Sequence, residues 1–161
     1  MAILITGSTG YIGSKLTDKL AAQGHTIHIL CRTAPALPEF NKPNIKIFIG
    51  DITDKASLQP ALNGVDQVYH LAAYARLWAK DPSTFHKLNI EGFENVLKAA
   101  KSAGVAKMVY TSTAGVIGPS KDKPMTENDP RIRDFFNLYE STKSESEKVA
   151  LEYSRNGLPV T

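Results

Sequence analysis

Tyr139 and Lys143, four residues apart in the run Tyr139-Glu140-Ser141-Thr142-Lys143, are the first candidates for chemistry in this 161-residue chain. On a helix that spacing puts the two on neighbouring turns of one face, so their tips can approach one site. A tyrosine at its ordinary pKa of about 10 is a poor acid or base near neutral pH, but a neighbouring ammonium favours the phenolate and lowers that value. The pair is therefore expected to move a proton. Thr113, at the end of the apolar run before it, could add a hydroxyl that orients a substrate oxygen or stabilises charge on it. Taken alone, a Tyr and a Lys at this spacing are as readily read as packing on an ordinary helix.

A second set of residues could hold an anion. Gly7, Gly10 and Gly13 follow an uninterrupted apolar run at residues 2–5, the pattern of a strand buried on both faces. From Tyr11 onward Ile12, Leu16 and Leu20 share one helical face, and Lys15, Asp18 and Lys19 another. The order is strand, glycine turn, helix. Glycines there permit a sharp turn, let a pyrophosphate reach bare backbone, and pack the helix tightly on the sheet. The helix start adds unpaired N–H groups and a partial positive charge. The spacing is Gly-x-x-Gly-x-x-Gly rather than Gly-x-Gly-x-x-Gly, and a bland turn is the alternative; the strand before it and the helix after it favour the phosphate reading.

The remaining elements must place these groups together. A second apolar strand at residues 26–31 ends at Arg32, where a dinucleotide fold faces the adenosine ribose. An acidic residue there suits the 2′-hydroxyl of NAD, whereas an arginine accommodates the 2′-phosphate of NADP. Arg32 opening a solvated loop is the competing reading. A third strand at 44–49 leads to Asp51, which either begins a turn or accepts from an adenine amino group, and then to a short helix through Leu62. A fourth strand is expected at 65–73, with small final residues against which a cofactor could lie; its His70 reads as a packed or hydrogen-bonded core residue. Asp81 as N-cap and Pro82 open a long helix whose stripe runs from Phe85 to Ala100, with Asn89 on or beside it. A fifth strand at 107–112 delivers Thr113 to the same edge as the glycine loop. A long loop at 114–134 precedes the last helix, expected from near Phe135, and residues 157–161 read as the start of a sixth strand. Strict alternation predicts an α/β fold with a doubly wound parallel sheet. Residues 1–161 are expected to form one dinucleotide-binding domain, incomplete at its C-terminal end.

Composition narrows the partners. A net charge of +3 with scattered Lys and Arg does not point to nucleic acid. No apolar run approaches the about 20 residues that cross a bilayer, and the single cysteine, Cys31, leaves no internal disulfide, so a reducing cytoplasm is the expected setting. His25, His28 and His86 show no metal-site spacing, and no metal is expected. The stripes of the two long helices are wide enough to suggest a homodimer.

Taken in chain order, these motifs resemble the short-chain dehydrogenase/reductase family, specifically its extended branch, over essentially the whole chain. Thr6-Gly7-x-x-Gly10-x-x-Gly13 resembles the cofactor loop, which implies contacts from Gly7, Thr9, Gly10, Tyr11, Ile12 and Gly13. Asp51-Ile52 resembles the adenine contact, Leu71-Ala72-Ala73 the fourth-strand motif and Asn89-x-x-Gly92 the middle-helix motif. Val109 to Thr113 resembles the strand ending in the catalytic hydroxyl, and Tyr139-x-x-x-Lys143 the catalytic pair, whose lysine would also hold the nicotinamide ribose. Residues 72–82 are similar to dihydroflavonol-4-reductase-like bacterial proteins, some of which are described as sugar epimerases. The chain departs from the pattern in having Thr113 where serine is common and Gly118-Pro119 where many epimerases have tyrosine and glycine. The family's sixth strand, nicotinamide-contacting loop and substrate domain are expected to lie beyond this sequence.

Three functions compete. The resemblance implies foremost an NADP-dependent reductase of a carbonyl in a small organic substrate, NAD being the alternative cofactor. The second is a nucleotide-sugar epimerase or dehydratase, weakened by Arg32 and by Gly118-Pro119. The third is a non-enzymatic dinucleotide sensor, which would have no need of Thr113, Tyr139 and Lys143.

Overall fold

Five parallel strands pair in the order β3-β2-β1-β4-β5 in the computed structural model, which describes residues 1–35, 38–120 and 123–161. Residues 36–37 and 121–122, in two of the expected loops, lie outside the described residues. The strands are β1 (Ala2–Thr6), β2 (Thr26–Cys31), β3 (Ile45–Ile49), β4 (Gln67–His70) and β5 (Lys107–Tyr110). The chain winds outward from β1 to β3, then crosses back to place β4 on the other side of β1. Loops leaving the carboxyl ends of β1 and β4 therefore diverge, and a crevice opens there.

Alternation along β1 divides the core. Ile3 and Ile5 join Ile27, Ile29, Phe40 and Ile45 on one face of the sheet, under α1 (Tyr11–Ala22). Leu4 joins Val68, Met108, Leu58, Phe93 and Leu97 on the other, under α2 (Lys55–Leu62), α4 (Gly92–Ser102) and α5 (Leu138–Arg155). Each face of a strand such as β1 is covered by helices, which is why its sequence is apolar throughout.

Four expectations need correction. Ile12 is exposed, and α1 instead buries Gly13, Thr17 and Ala21, small residues that let the helix lie close to the sheet. The fourth strand ends at His70 rather than Ala73, because its neighbour β1 turns away at Gly7: Leu71 N still donates to Thr6 O at 3.1 Å, and the paired register stops there. Ser83–His86, labelled α3, has Pro82 as its N-cap, although Asp81 Oδ1 does accept from Ser83 N at 3.0 Å. A π-helical stretch, Lys87–Glu91, joins α3 to α4. The last helix starts at Leu138, where Asn137 caps it by accepting from Glu140 N at 2.9 Å. At the far end Val160 bridges Met108 in parallel, as a beginning sixth strand would.

Candidate active site

The glycine turn is shaped by contacts that no side chain would survive. Gly7 has φ +73°, and a Cβ there would lie 2.6 Å from Ala72 N. A Cβ on Gly13 would lie 2.1 Å from the Gly7 carbonyl oxygen. Backbone thus meets backbone between the loop, the start of α1 and the end of β4. Gly10 is the N-cap of α1 and no side chain caps it, so the first N–H groups of the helix, from Tyr11, Ile12 and Gly13, have no intrahelical partner.

A cavity of about 590 Å³ opens beside this turn. Gly7, Thr9, Gly10, Arg32, Asp51, Ile52, Leu71, Ala72 and Ala73, all expected at the cofactor, are among the residues that line it. Tyr11 and Ile12 are outside the lining, the residues being 85% and 61% exposed, and Gly13 is buried at the helix–sheet contact. Arg32 is exposed at the cavity wall and, among the described residues, makes no hydrogen bond or ion pair. Asp51 begins a turn, Oδ1 accepting from Thr53 N and Thr53 Oγ1 at 2.9 and 2.8 Å, and the residue also lines the cavity. A cradle without side chains, an uncapped helix start and a guanidinium without a partner among the described residues together fit a dinucleotide phosphate group.

At the other end of the sheet edge stand Thr113, Tyr139 and Lys143. Thr113 follows β5 and caps a 3₁₀ turn, Ala114–Val116, by accepting from Gly115 N at 3.2 Å. Tyr139, in the first turn of α5, is half-buried. Burial raises its pKa, and the Thr113 hydroxyl works in the opposite direction. Lys143 is 2% exposed, donates to Thr111 O at 2.6 Å and has its ammonium 3.9 Å from the centroid of the Tyr110 ring. Burial lowers its pKa to about 8, with Glu147 opposing. The expected lowering of the Tyr139 pKa by Lys143 is not found; desolvation dominates, and the ammonium is directed at the Thr111 carbonyl and the Tyr110 ring.

Beneath the lysine lies an aromatic stack. Tyr110 and Phe93 are 4.3 Å apart between centroids, and Phe93 and His70 4.8 Å. His70 Nδ1 is hydrogen-bonded to Thr6 Oγ1 at 2.8 Å, in keeping with its reading as a core residue. Burial above all, and the Lys143 charge second, hold its pKa at about 3. The Tyr110 hydroxyl makes no well-formed hydrogen bond among the described residues. Its polar neighbour Ser146 directs its own hydroxyl to Asn89 O and Thr142 O, both at 2.7 Å. Asn89 is buried with partners: it accepts from Tyr74 N at 2.7 Å and donates to Thr142 Oγ1 at 3.0 Å, which ties the loop after β4 to α5.

Sequence reasoning missed Tyr74, Ala75 and Arg76 as cavity residues, although they directly continue Leu71-Ala72-Ala73. It also missed Arg131 and Glu140, whose pairing across a loop carries no periodic signal.

Residues 3–161 match the model of the NAD dependent epimerase/dehydratase family. A putative dihydroflavonol 4-reductase of Synechocystis sp. is 28% identical over 95% of this chain and 45% of its own length. The human sterol-4-alpha-carboxylate 3-dehydrogenase, decarboxylating, is 30% identical over 91% of this chain and 38% of its own. The crystal structure of the UDP-glucose 4-epimerase of Thermus thermophilus, a complex with NAD, superposes with a TM-score of 0.85 at 27% identity, covering 99% of this chain and 53% of that one. The chain thus spans about half the length of such relatives or less. No helix among the described residues is long and apolar enough to cross a membrane. With a parallel sheet wound 3-2-1-4-5, a bare-backbone glycine turn at its switch point and a match over nearly its full length, the chain belongs to the NAD dependent epimerase/dehydratase family.

Proposed function

We propose that this chain is the dinucleotide-binding and proton-transfer part of an NADP-dependent reductase acting on a carbonyl of a small organic substrate. The observation that carries the reading is Lys143, buried on α5 one turn after Tyr139 and donating to Thr111 O at 2.6 Å, which draws that helix against the segment bearing Thr113. Gly7, Gly10 and Gly13, with Thr9 and the N–H groups of Tyr11 and Ile12, would hold the pyrophosphate. Asp51 and Ile52 would meet the adenine, Leu71, Ala72 and Ala73 would lie along the cofactor, and Arg32 would take the 2′-phosphate. When bound, the nicotinamide supplies or accepts a hydride at the substrate carbon.

Tyr139 gives its proton to the carbonyl oxygen. Its raised pKa keeps the phenol protonated and ready to donate. Thr113 Oγ1 accepts from Gly115 N, so its own proton is free to bind the same substrate oxygen. Lys143, held at Thr111 O and the Tyr110 ring, would hold the nicotinamide ribose, and as a donor of charge-assisted hydrogen bonds it does so only while it is an ammonium. Because its pKa is lowered to about 8, carbonyl reduction should decline as pH rises through about 8. A pH–rate profile checks this, and an undiminished rate at pH 10 would count against Lys143.

The likeness to a UDP-glucose 4-epimerase favours a second reading, in which Tyr139 takes a proton from a sugar hydroxyl and later returns it. Interconversion of a nucleotide sugar with no net consumption of cofactor would establish that reading instead. Leu151, 56% exposed on α5, supports self-association through this helix, which light scattering would test.

The deciding experiment uses the full-length protein. Tyr139→Phe keeps the ring and removes the donor, so turnover should fall by about 10² to 10⁴ while cofactor affinity stays the same. Wild-type turnover in that variant would overturn the mechanism.

A further inference from the structure

We infer that Arg131 is a positioning residue: its guanidinium sets Thr113 against Tyr139 by clamping the 3₁₀ turn after Thr113 to the first turn of α5. This rests on the proton-transfer reading of those two residues. Neither of them is hydrogen-bonded to Arg131. Thr113 is anchored by its bond from Gly115 N, so its place depends on where that turn sits. Tyr139 moves with the start of α5.

Arg131 reaches both. Nη1 donates to the carbonyls of Gly115 and Val116, the latter at 3.2 Å. Nη2 donates to Asp134 O and to Glu140 Oε2, each at 2.9 Å, and Nε donates to Arg133 O at 2.7 Å. All five N–H donors of the fork are therefore used, four on backbone carbonyls and one on a carboxylate. The two side chains are 13% and 16% exposed, unlike a solvated surface pair. The guanidinium carbon also lies 4.1 Å from the centroid of the Phe135 ring. Glu140, the residue after Tyr139, accepts in addition from Phe136 N at 3.2 Å.

Two glycines make room for the clamp. A Cβ on Gly115 would lie 2.9 Å from Glu140 Cγ, and one on Gly118 would lie 2.9 Å from Arg131 Nη1. A lysine cannot replace the planar fork, because its single nitrogen cannot reach five acceptors spread over three segments. Reacting groups displaced by about 1 Å lose on the order of 10²-fold in rate, so a clamp that fixes this separation acts on turnover more than on binding.

The test compares Arg131→Gln and Arg131→Lys with Thr113→Val in full-length protein that circular dichroism shows to be folded. Exchange of the Gly115 amide, which donates to Thr113 Oγ1, should quicken in Thr113→Val and in both Arg131 variants, while the Gly10 amide keeps its wild-type rate. With NADPH and phenanthrenequinone as a carbonyl probe, kcat should fall by about 10²-fold with KM for NADPH unchanged. Lysine should not rescue it, whereas a merely stabilising cation would. Unchanged Gly115 exchange in a folded Arg131 variant overturns the inference with or without turnover of the probe. If Arg131→Gln does not fold, Glu140→Gln, which weakens one of the five bonds, should quicken the same amide; no change there likewise overturns it. Wild-type turnover in Tyr139→Phe would sink the reductase reading itself, whereas an inactive Tyr139→Phe beside a fully active Arg131→Gln would sink only the clamp.

Discussion

The two ends of the sheet's carboxyl edge are built by different means. Beside β1 the site is backbone: Gly7 and Gly13 hold loop, helix start and strand end at distances that exclude a Cβ, and the N–H groups of α1 face outward uncapped. Beside β5 the site is side chains, Thr113, Tyr139 and Lys143, brought together from segments about 30 residues apart and steadied by Arg131 and Glu140. A backbone cradle recognises an anion common to many dinucleotides. Side chains on a turn and a helix can be retuned without disturbing it. Substitutions at the first end should therefore cost the fold, and at the second end the chemistry.

The largest stability effect is expected at Gly13. An added Cβ has backbone on two sides, at 2.1 Å from Gly7 O and 2.8 Å from Ser8 Cα, and neither can yield cheaply. Gly13→Ala should cost about 3 kcal/mol or more in urea denaturation. Gly24 gives the control: it has φ +84° with nothing within 4 Å of an added Cβ, so Gly24→Ala should cost only the left-handed backbone term of about 1 to 2 kcal/mol. Equal losses for the two would remove the claim that close packing shapes the cradle. Thr113→Val, at the other end, should leave stability nearly intact while turnover falls.

Next in size is the cofactor preference. Arg32 stands at the cavity wall without a partner among the described residues, so a 2′-phosphate gains a charge-assisted contact without breaking another. Such contacts contribute about 1.5 to 3 kcal/mol, so Arg32→Asp should weaken NADPH binding by about tenfold or more. NADH should be affected far less. Calorimetry with both cofactors decides it, and equal affinities in wild type and variant would refute the assignment.

The contrast also explains what could be read from sequence. The strand, glycine turn and helix start of the cradle lie within residues 2–13, so period, glycine spacing and turn chemistry expose them together; only the close approach of Leu71 and Ala72 comes from elsewhere in the chain. The spacing of Tyr139 and Lys143 is a local signal of the same kind, and the cavity gathers Arg32, Asp51 and residues 71–73 beside the glycine turn. Ile12 was misplaced because periodicity counts apolar residues, whereas α1 approaches the sheet through small ones. The Tyr139 pKa was misjudged because a spacing of four says that Lys143 is near but not what else its ammonium meets. Arg131 was invisible. Its partners are chosen by the path of a loop, and no run of residues around it has a pattern to detect.

His70 joins the two ends, and it carries the smallest effect, read as a slope. Its ring is bonded to Thr6, the last residue before the glycine turn, and lies in the field of Lys143 on the other side. Burial chiefly, with Lys143 adding to it, depresses its pKa from 6.5 to about 3 in the folded protein. The unfolded chain therefore takes up the proton first as pH falls. Stability from this group is complete above about pH 6.5 and declines between there and about pH 3 by up to about 1.4 kcal/mol per pH unit. His70→Gln should flatten that slope in urea denaturation at pH 5 to 6, whatever its own cost at neutral pH. Lys143→Met should soften it, because removing the neighbouring charge lets the folded protein accept the proton at a higher pH. An identical slope in wild type and His70→Gln would mean that the acid sensitivity lies elsewhere, and that the ring between the two ends is only filler.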